Sequence, residues 1–220
     1  SRGFGLAIAK GLVEHGARVG PIGRSEAGLD QAVSAIGTDH AFGVAADVGS
    51  RTEVRAAFAS IKTHFQRLDG LINNAGLAMP NTVENLVEDE VMTQVQTNFL
   101  GTVFCSQAAI PLLRGGDNPR IVNISSASAY HMDEMAHLSI YAATKAAVER
   151  FSRDLRRELQ GDGIGVTILR PGAAATEFAA GWDPGRFEPA LKAWIDQGKL
   201  MDIGMDAAHV GATVAYCLCC

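Results

Sequence analysis

Short apolar segments alternate with helical patterns along the chain, and this alternation limits the fold more than any other feature. Each strand-like segment is followed by a helical pattern long enough to carry the chain back to a neighbouring strand. Such alternation is typical of right-handed βαβ units on a parallel sheet. The predicted strands span residues 17–22, 41–46, 68–72, 120–125 and 163–169. Predicted helices follow Gly5 and span 25–36, 50–65, 87–113, 141–160 and 207–218.

Local signals refine two of these elements. Pro21 lies inside the first predicted strand, where it cannot donate a hydrogen bond to a neighbour, so it is expected at an edge or a bulge. Ser50-Arg51-Thr52-Glu53 has the pattern of a capping box, in which Ser50 and Glu53 satisfy backbone N–H groups at a helix start. Neither residue of that box then needs a functional role.

Composition narrows the class of protein. The 220 residues, 47% of them hydrophobic, are enough for one substantial core and favour a single domain. A net charge of −5 without any basic run makes nucleic acid and anionic membranes poor partners. No apolar run reaches the roughly 18 residues of a membrane span and no leader pattern precedes the first motif, so a cytoplasmic location is expected. The four cysteines have neither disulfide-framework nor zinc-site spacing.

Polar or small residues follow the predicted strands closely. Asp47, Asn74, Ser126 and Gly172 each come one or a few residues after a strand. The carboxyl ends of parallel strands meet at one edge of the sheet, where ligands bind in open α/β folds. The four positions are therefore expected around one crevice.

Gly3-Phe4-Gly5 opens the first helical pattern. Glycines at a helix start let the backbone approach a phosphate, and the positive end of the helix favours its negative charge. The apolar strand and first glycine that precede such a turn in dinucleotide-binding folds are absent from this sequence. We therefore expect either an N-terminally shortened protein or an accidental motif.

Tyr141 and Lys145 are four residues apart at the start of a helical pattern, so their side chains lie on one helix face. A tyrosine ordinarily titrates near 10, and lowering its pKa to about 7 requires roughly 4 kcal/mol. A lysine charge about 5 Å away supplies roughly 3 kcal/mol. The pair is a candidate acid/base group; the structural alternative is a surface tyrosine packed on a lysine stem.

Taken in order, seven motifs resemble the short-chain dehydrogenase/reductase family over nearly the whole chain. They are Gly3-Phe4-Gly5, Asp47-Val48, Asn73-Asn74-Ala75-Gly76, Asn98, Ile121-Val122-Asn123-Ile124-Ser125-Ser126, Tyr141-x-x-x-Lys145 and Pro171-Gly172. The resemblance implies one Rossmann-type domain over residues 1–220: an α/β, doubly wound parallel sheet in three αβα layers. It also implies an NAD(P)-dependent oxidoreductase acting on a ketone or secondary alcohol.

The resemblance assigns four catalytic roles. Tyr141 exchanges a proton with the substrate oxygen, and Lys145 lowers the pKa of the phenol and holds the nicotinamide ribose. Asn98 lies at a local break in its helix and helps hold a proton-relay water. The substrate-binding serine is Ser126 when counted from the strand end, and Ser128 when counted back from the tyrosine. We favour Ser126, because a loop absorbs an insertion more easily than a strand end moves.

The family pattern also gives a cofactor site. NADP is favoured over NAD, because Arg24 follows the second strand of the family pattern, where NAD-preferring folds carry an acid, and because Arg2 resembles a second basic residue of NADP-using members. The alternative is that both arginines are solvated surface charges. Asp47 and Val48 are assigned to the adenine, and Thr176 to the nicotinamide carboxamide. The implied set is Ser1, Arg2, Gly3, Phe4, Gly5, Arg24, Asp47, Val48, Asn74, Ala75, Gly76, Tyr141, Lys145, Pro171, Gly172 and Thr176.

Residues 177–205 lose helical periodicity and carry several aromatic residues, where family members keep a substrate lid. His131 and His137 precede the Tyr141 helix and are candidates for the substrate pocket, but no third ligand has metal-site spacing. In the family, the helices of Tyr141 and Asn98 often form a dimer interface, so a homodimer or homotetramer is expected.

Measured against the family, the first and last strands are missing, so we expect a chain shortened at both ends. Two alternative functions stay open: a dinucleotide-binding or scaffold protein without turnover, and an NAD-preferring alcohol dehydrogenase. Competent residues at all four catalytic positions disfavour the first of these.

Overall fold

The described strands form two sheets, and every strand pair in them is parallel. The structure is a computed structural model that describes residues 2–129, 135–174, 176–199 and 204–219. In these residues β1 (Ile22–Gly23) pairs with β2 (Val44–Ala45), and β3 (Gly70–Asn73), β4 (Arg120–Ile124) and β5 (Gly165–Leu169) form a second sheet in that order. The helices are α1 (Gly3–Glu14), α2 (Glu26–Ile36), α3 (Arg51–Phe65), α4 (Glu88–Gln94), α5 (Gly101–Leu113), α6 (Ser139–Glu158), α7 (Pro184–Asp196) and α8 (Ala207–Cys219).

Side chains of β4 alternate between two cores, because successive residues of a strand point to opposite faces. Ile121 is buried in a cluster with residues of α3, α5 and α6. Val122 and Ile124 are buried on the other face with residues of α1 and α8. Helices therefore cover both faces of the sheet, which confirms the predicted three-layer, doubly wound α/β fold.

β1 is shorter than the predicted strand 17–22, and Pro21 explains why. The Val19 N–H donates to the His40 carbonyl at 2.8 Å, and the Pro21 carbonyl accepts from the Val44 N–H at 2.9 Å. Two residues after Val19, the next N–H towards β2 would belong to Pro21, which has none. The ladder is thus interrupted, and only Ile22–Gly23 remains a regular strand.

The predicted capping box of α3 is only half formed. Ser50 Oγ accepts from the Glu53 N–H at 3.4 Å, as the pattern requires. The Glu53 carboxylate, however, accepts from the Asp47 N–H at 2.8 Å instead of returning to Ser50. The Ser50 N–H already donates to the Asp47 carbonyl at 3.0 Å, so it is satisfied without Glu53.

The predicted helix over 87–113 is divided in the structure. A π-helical turn, Val95–Leu100, separates α4 from α5. Such turns interrupt the regular bonding of an α-helix and are frequent at functional sites. Asn98 lies within it, so the helix break implied by the family resemblance is present.

The segment 177–205 is more regular than its sequence pattern indicates. It contains α7, whose N-cap Asp183 accepts from the Arg186 N–H at 3.2 Å and whose first residue is Pro184. Asp before Pro is a helix-start signal that the loss of apolar periodicity obscured. Residues 200–203 of this segment lie outside the described residues. Among the described helices, none is both long enough and apolar enough to cross a membrane.

Candidate active site

The carboxyl ends of the strands open into a cavity of about 1700 Å³. It is lined by the start of α1, the ends of β1 and β2, the segment after β3, and residues of α6 and α7, and it continues between the two sheets, along Val19 and Ile22 on one side and Leu71 on the other. Asn98 lies behind the lining, and Ser1 lies outside the described residues. The predicted site residues that line the cavity are Arg2, Gly3, Phe4, Gly5, Arg24, Asp47, Val48, Asn74, Ala75, Gly76, Ser126, Tyr141, Lys145, Pro171, Gly172 and Thr176.

The N-terminus of α1 lies at this cavity with its first N–H groups free of a side-chain cap. Gly3 has φ +52°, a conformation that costs glycine least. A Cβ on Gly5 would lie 3.0 Å from the Asn74 amide nitrogen, so glycine allows α1 to approach the end of β3. Uncapped N–H groups at the positive end of a helix form a site for a phosphate.

Tyr141 stands in the first turn of α6 and lines the cavity. Burial raises the pKa of Tyr141, and a hydrogen bond with the Ser126 side chain lowers it. Lys145 was expected to lower this pKa, but burial is the larger influence in the structure. Lys145 Nζ lies 5.8 Å from the centre of the Tyr141 ring and donates to the Ile124 carbonyl at 2.8 Å.

Ser126 and Ser128 both line the cavity with Tyr141, and the Ser126 side chain is the one that lowers the pKa of Tyr141. The Ser128 hydroxyl donates to Ser126 Oγ at 2.9 Å, and the Ser128 N–H does so at 3.2 Å. The second serine therefore orients the first.

Lys145 is buried, with 4% of its surface exposed. Because burial disfavours the charged form, the pKa of Lys145 is lowered to about 8. A Cβ on Gly76 would lie 3.2 Å from Lys145 Nζ and 3.4 Å from Asn98 Oδ1. Glycine at position 76 thus leaves room for both polar groups beside the cavity.

Asn98 is fully buried and its amide is held from two sides. Asn98 Oδ1 accepts from the Leu77 N–H at 2.8 Å, and Nδ2 donates to the Leu77 carbonyl at 2.9 Å. The second Nδ2 hydrogen goes to Thr144 Oγ1 at 3.0 Å, and that hydroxyl donates to the Tyr141 carbonyl at 2.7 Å. Thr144, which the sequence did not single out, therefore links Asn98 to the helix of Tyr141 and Lys145.

Asp47 and Val48 lie at the end of β2, where the adenine is expected. Asp47 Oδ1 accepts from the Gly49 N–H at 2.8 Å, and Glu53 holds the Asp47 N–H. A Cβ on Gly101 would lie 2.9 Å from Val48 Cγ2, so the start of α5 packs directly on Val48. Glu53, assigned only a capping role from sequence, thus fixes the backbone of Asp47.

The two arginines proposed for NADP both line the cavity. Arg24 is exposed just after β1. Arg2 is also exposed, and its Nη1 lies 3.8 Å from the Glu177 carboxylate. Thr176, beside Glu177, has its Cβ 3.7 Å from the position of a Cβ on Gly3. Arg2 therefore faces the segment after β5.

A charged network that sequence analysis missed lies behind the site. Glu149 is buried on α6, one turn after Lys145, and accepts from Arg170 at the end of β5, including Nη2 at 2.7 Å. Ser125 Oγ donates to the same carboxylate at 3.0 Å. The hydrogen bond from Arg170 lowers the pKa of Glu149, and the positive charge of Arg170 adds to this effect. Burial of the carboxylate opposes both. The only sequence signals were the four-residue spacing from Lys145 and the position of Arg170 directly before Pro171.

Neither histidine singled out from sequence is shown at the cavity. His137 is not among its lining residues, and its carbonyl accepts from the Asn81 N–H at 2.9 Å. His131 lies outside the described residues. Within the described part of the chain, no three His, Cys, Asp or Glu side chains are grouped to hold a metal ion.

The fold and this cavity define a Rossmann-type α/β protein with its ligand crevice at the carboxyl edge of the sheet. The sequence model of the short chain dehydrogenases matches residues 1–186, so the chain belongs to the short-chain dehydrogenase family.

Relatives agree with this assignment. The chain is 36% identical over 179 residues to the oxidoreductase BOA17 of Botryotinia fuckeliana, and the match covers 81% of this chain but only 65% of that protein. A short-chain dehydrogenase from Streptomyces avermitilis is 30% identical with a TM-score of 0.83, covering 99% of this chain and 80% of the other. A 3-ketoacyl-(acyl-carrier-protein) reductase from Brucella melitensis, solved with NADH, is 27% identical with a TM-score of 0.86, covering 99% and 86%.

Proposed function

We propose that the protein transfers a hydride between a nicotinamide dinucleotide, with NADP preferred, and a ketone or secondary alcohol. The observation that carries this proposal is that Tyr141, Ser126 and buried Lys145 line the same cavity as the uncapped start of α1. A proton donor and an anion site thus share one crevice, which is what carbonyl reduction by a phosphate-bearing cofactor requires.

The residues present fit such a cofactor. The free N–H groups at Gly3, Phe4 and Gly5 suit a pyrophosphate, and the close approach of Gly5 to Asn74 keeps that turn open to the cavity. Asp47 and Val48 would hold the adenine, and Thr176 and Lys145 the nicotinamide end. When bound, the nicotinamide supplies or accepts the hydride.

The proton chemistry falls to this chain's own side chains. In reduction, the Tyr141 hydroxyl donates a proton to the carbonyl oxygen while the Ser126 hydroxyl donates a hydrogen bond to the same oxygen. Ser128 keeps Ser126 in position through its 2.9 Å bond. Lys145, with a pKa of about 8, is charged below that pH and favours the phenolate left after proton transfer.

The test is turnover by the full-length protein with a panel of ketones and secondary alcohols, followed by nicotinamide absorbance. We expect Tyr141→Phe to lower kcat/KM by about 10²- to 10⁴-fold, the usual worth of a positioned general acid. Tyr216→Phe, at an exposed tyrosine of α8, is the matched control and should keep full activity. Unchanged biological activity of Tyr141→Phe would instead support a binding protein without turnover.

Preference for NADP is proposed on Arg24, because an exposed guanidinium beside β1 and the cavity suits a ribose 2′-phosphate. One observation supports an NAD-preferring alternative: Arg2 is already paired with Glu177. Comparing kcat/KM with the two cofactors decides between them. Arg24→Ala should raise the KM for NADP and leave that for NAD unchanged, whereas Arg55→Ala, at an exposed arginine of α3, should change neither.

A further inference from the structure

Aromatic rings lead from Tyr141 into the segment that covers the cavity. The Phe178 ring lies 5.7 Å from the Tyr141 ring between centroids, and the Trp182 ring lies 5.9 Å from Phe178. Trp182 in turn contacts Phe187 at 5.4 Å and Trp194 at 6.0 Å. Aromatic surface therefore stands directly beside the proton donor.

The rings of this group have different roles. Trp194 is buried, with 4% of its surface exposed, and its Nε1 donates to the Ala136 carbonyl at 2.6 Å. Phe178 lines the cavity and is 43% exposed, so part of its ring is open to a ligand there. Trp194 anchors the cluster, whereas Phe178 presents a ring to whatever enters beside Tyr141.

Four charged side chains of the covering segment are already engaged: Glu177, Asp183, Arg186 and Lys199. Arg186 donates to both Glu90 oxygens at 2.7 Å, and Asp183 caps α7. Glu177 faces Arg2, and Lys199, which also lines the cavity, has its own interaction partner. An anionic substrate would have to displace such a pair to reach Arg2, while an apolar group needs only the exposed aromatic surface beside Tyr141.

We infer that the substrate is an uncharged ketone or secondary alcohol whose larger substituent is an aryl group, held against Phe178 and Trp182. This inference rests on the proposed function, since it concerns the substrate of the same site. A flat ring next to the reacting carbon packs edge-on or offset against Phe178, an arrangement that stabilises aromatic pairs beyond their buried area.

Three ketones test the inference with the unmodified full-length enzyme: acetophenone, 2-butanone and acetoacetate. We expect kcat/KM for acetophenone to exceed that for 2-butanone by about tenfold or more, because a phenyl group buries more apolar surface than an ethyl group. Acetoacetate should be poorer than 2-butanone. No turnover of any ketone or secondary alcohol would overturn the proposed function itself. Turnover of 2-butanone or acetoacetate equal to or above that of acetophenone would overturn only the aryl inference.

Phe178→Leu separates ring recognition from simple apolarity, since leucine keeps an apolar side chain of similar reach. The variant should lose about five- to tenfold in kcat/KM for acetophenone and less than twofold for 2-butanone. Tyr216→Leu, at a ring 68% exposed on α8, controls for removal of a surface aromatic and should change neither value. An equal loss for both ketones in Phe178→Leu would contradict the inference.

Discussion

Lys145 is buried, and its Nζ donates a hydrogen bond to a neutral group, the Ile124 carbonyl. Its desolvation is the reason that its pKa is lowered from 10.5 to about 8. Between these two pH values the unfolded chain binds more protons at this residue than the folded protein does. Folding stability from Lys145 must therefore rise as the pH increases from 8 to 10.5.

Lys145→Met removes this dependence. Relative to the variant, the unfolding free energy of the wild type should increase by roughly 3 kcal/mol between pH 7 and pH 10.5. Urea unfolding of both proteins at several pH values measures the difference. Lys10→Met, at an exposed lysine of α1, is the control, and its unfolding free energy should depend on pH as that of the wild type does. If the unfolding free energies of wild type and Lys145→Met change with pH in parallel, the burial argument is contradicted.

The Thr144 hydroxyl positions the Asn98 amide. Two substitutions show whether this hydrogen bond, and not the size of the side chain, is what matters. Thr144→Val keeps the shape of the side chain but leaves one Asn98 amide hydrogen without its acceptor, at a cost of about 1–3 kcal/mol. If the proposed reaction is right, kcat should fall about tenfold or more while KM for the dinucleotide stays unchanged. Thr144→Ser retains the hydroxyl and should restore kcat; failure of that rescue would exclude the positioning role.

At this scale, sequence analysis located residues but not their partners. Ser126 was chosen over Ser128 by counting from the strand end; both serines line the cavity with Tyr141, and the choice between them stays a prediction. The contacts of Glu53 with Asp47 and of Thr144 with Asn98 were not predicted. Each depends on how the chain folds, which no local sequence pattern records. The functional roles of these residues stay predictions until the variants are measured.

At the scale of elements, Glu149 and Arg170 join α6 to the end of β5. Glu149→Gln should lower the unfolding free energy by about 2 kcal/mol at pH 7. This value lies between the contributions of exposed and of fully buried ion pairs, because Glu149 is buried but the Arg170 side chain is 38% exposed. The hydrogen bond from Arg170 lowers the pKa of Glu149, so its contribution is complete above pH 4.5 and is lost as the pH falls further.

Urea unfolding at several pH values tests the contribution of the Glu149–Arg170 ion pair. The difference between wild type and Glu149→Gln should be constant from pH 5.5 to 8 and should narrow below about 4.5. Glu158→Gln, at an exposed position of α6, is the control and should be near neutral. A difference that does not change with pH would mean that the carboxylate charge is not what stabilises the wild type.

Helices whose caps and apolar spacing are clear in the sequence, such as α2, were predicted closely. The π turn within 87–113 and helix α7 were not predicted from local pattern. Ser25 caps α2 as its sequence indicates, since Ser25 Oγ accepts from the Gly28 N–H at 3.1 Å. The π turn at Asn98 came from the family resemblance, because apolar periodicity over 87–113 shows no break. α7 was missed although Phe187, Leu191 and Trp194 recur at helical spacing and pack in one cluster, because Pro184, Gly185 and Pro189 in the same segment are residues that ordinarily disfavour a helix interior.

At the scale of the molecule, we propose association of two or four copies through α6. Ala143 and Ala146 are exposed on this helix, and small side chains let another helix approach closely. Light scattering of the full-length protein should give a dimer or tetramer, and Ala146→Arg should shift it towards the monomer. Ala56→Arg, at an exposed alanine of α3, should leave the mass unchanged; a monomeric wild type would contradict the proposal.

The layered arrangement was predictable as a whole because it follows from the order of strands and helices. Strand pairing was not, since residues far apart in sequence meet: Gly70 pairs with Arg120, and Arg120 with Gly165. Periodicity carries no information about such distant partners, and the family resemblance supplied what was expected of the sheet.

The burial of Lys145 has a chemical consequence beyond proton transfer. An amine with a pKa of about 8 is half uncharged in mildly alkaline buffer, whereas ordinary lysines there are almost wholly protonated and unreactive. A small aldehyde entering the cavity should condense with Nζ, releasing water, and borohydride would fix the resulting imine. Mass spectrometry of protein treated in this way should find Lys145 labelled before Lys10, and a dinucleotide in the crevice should shield it.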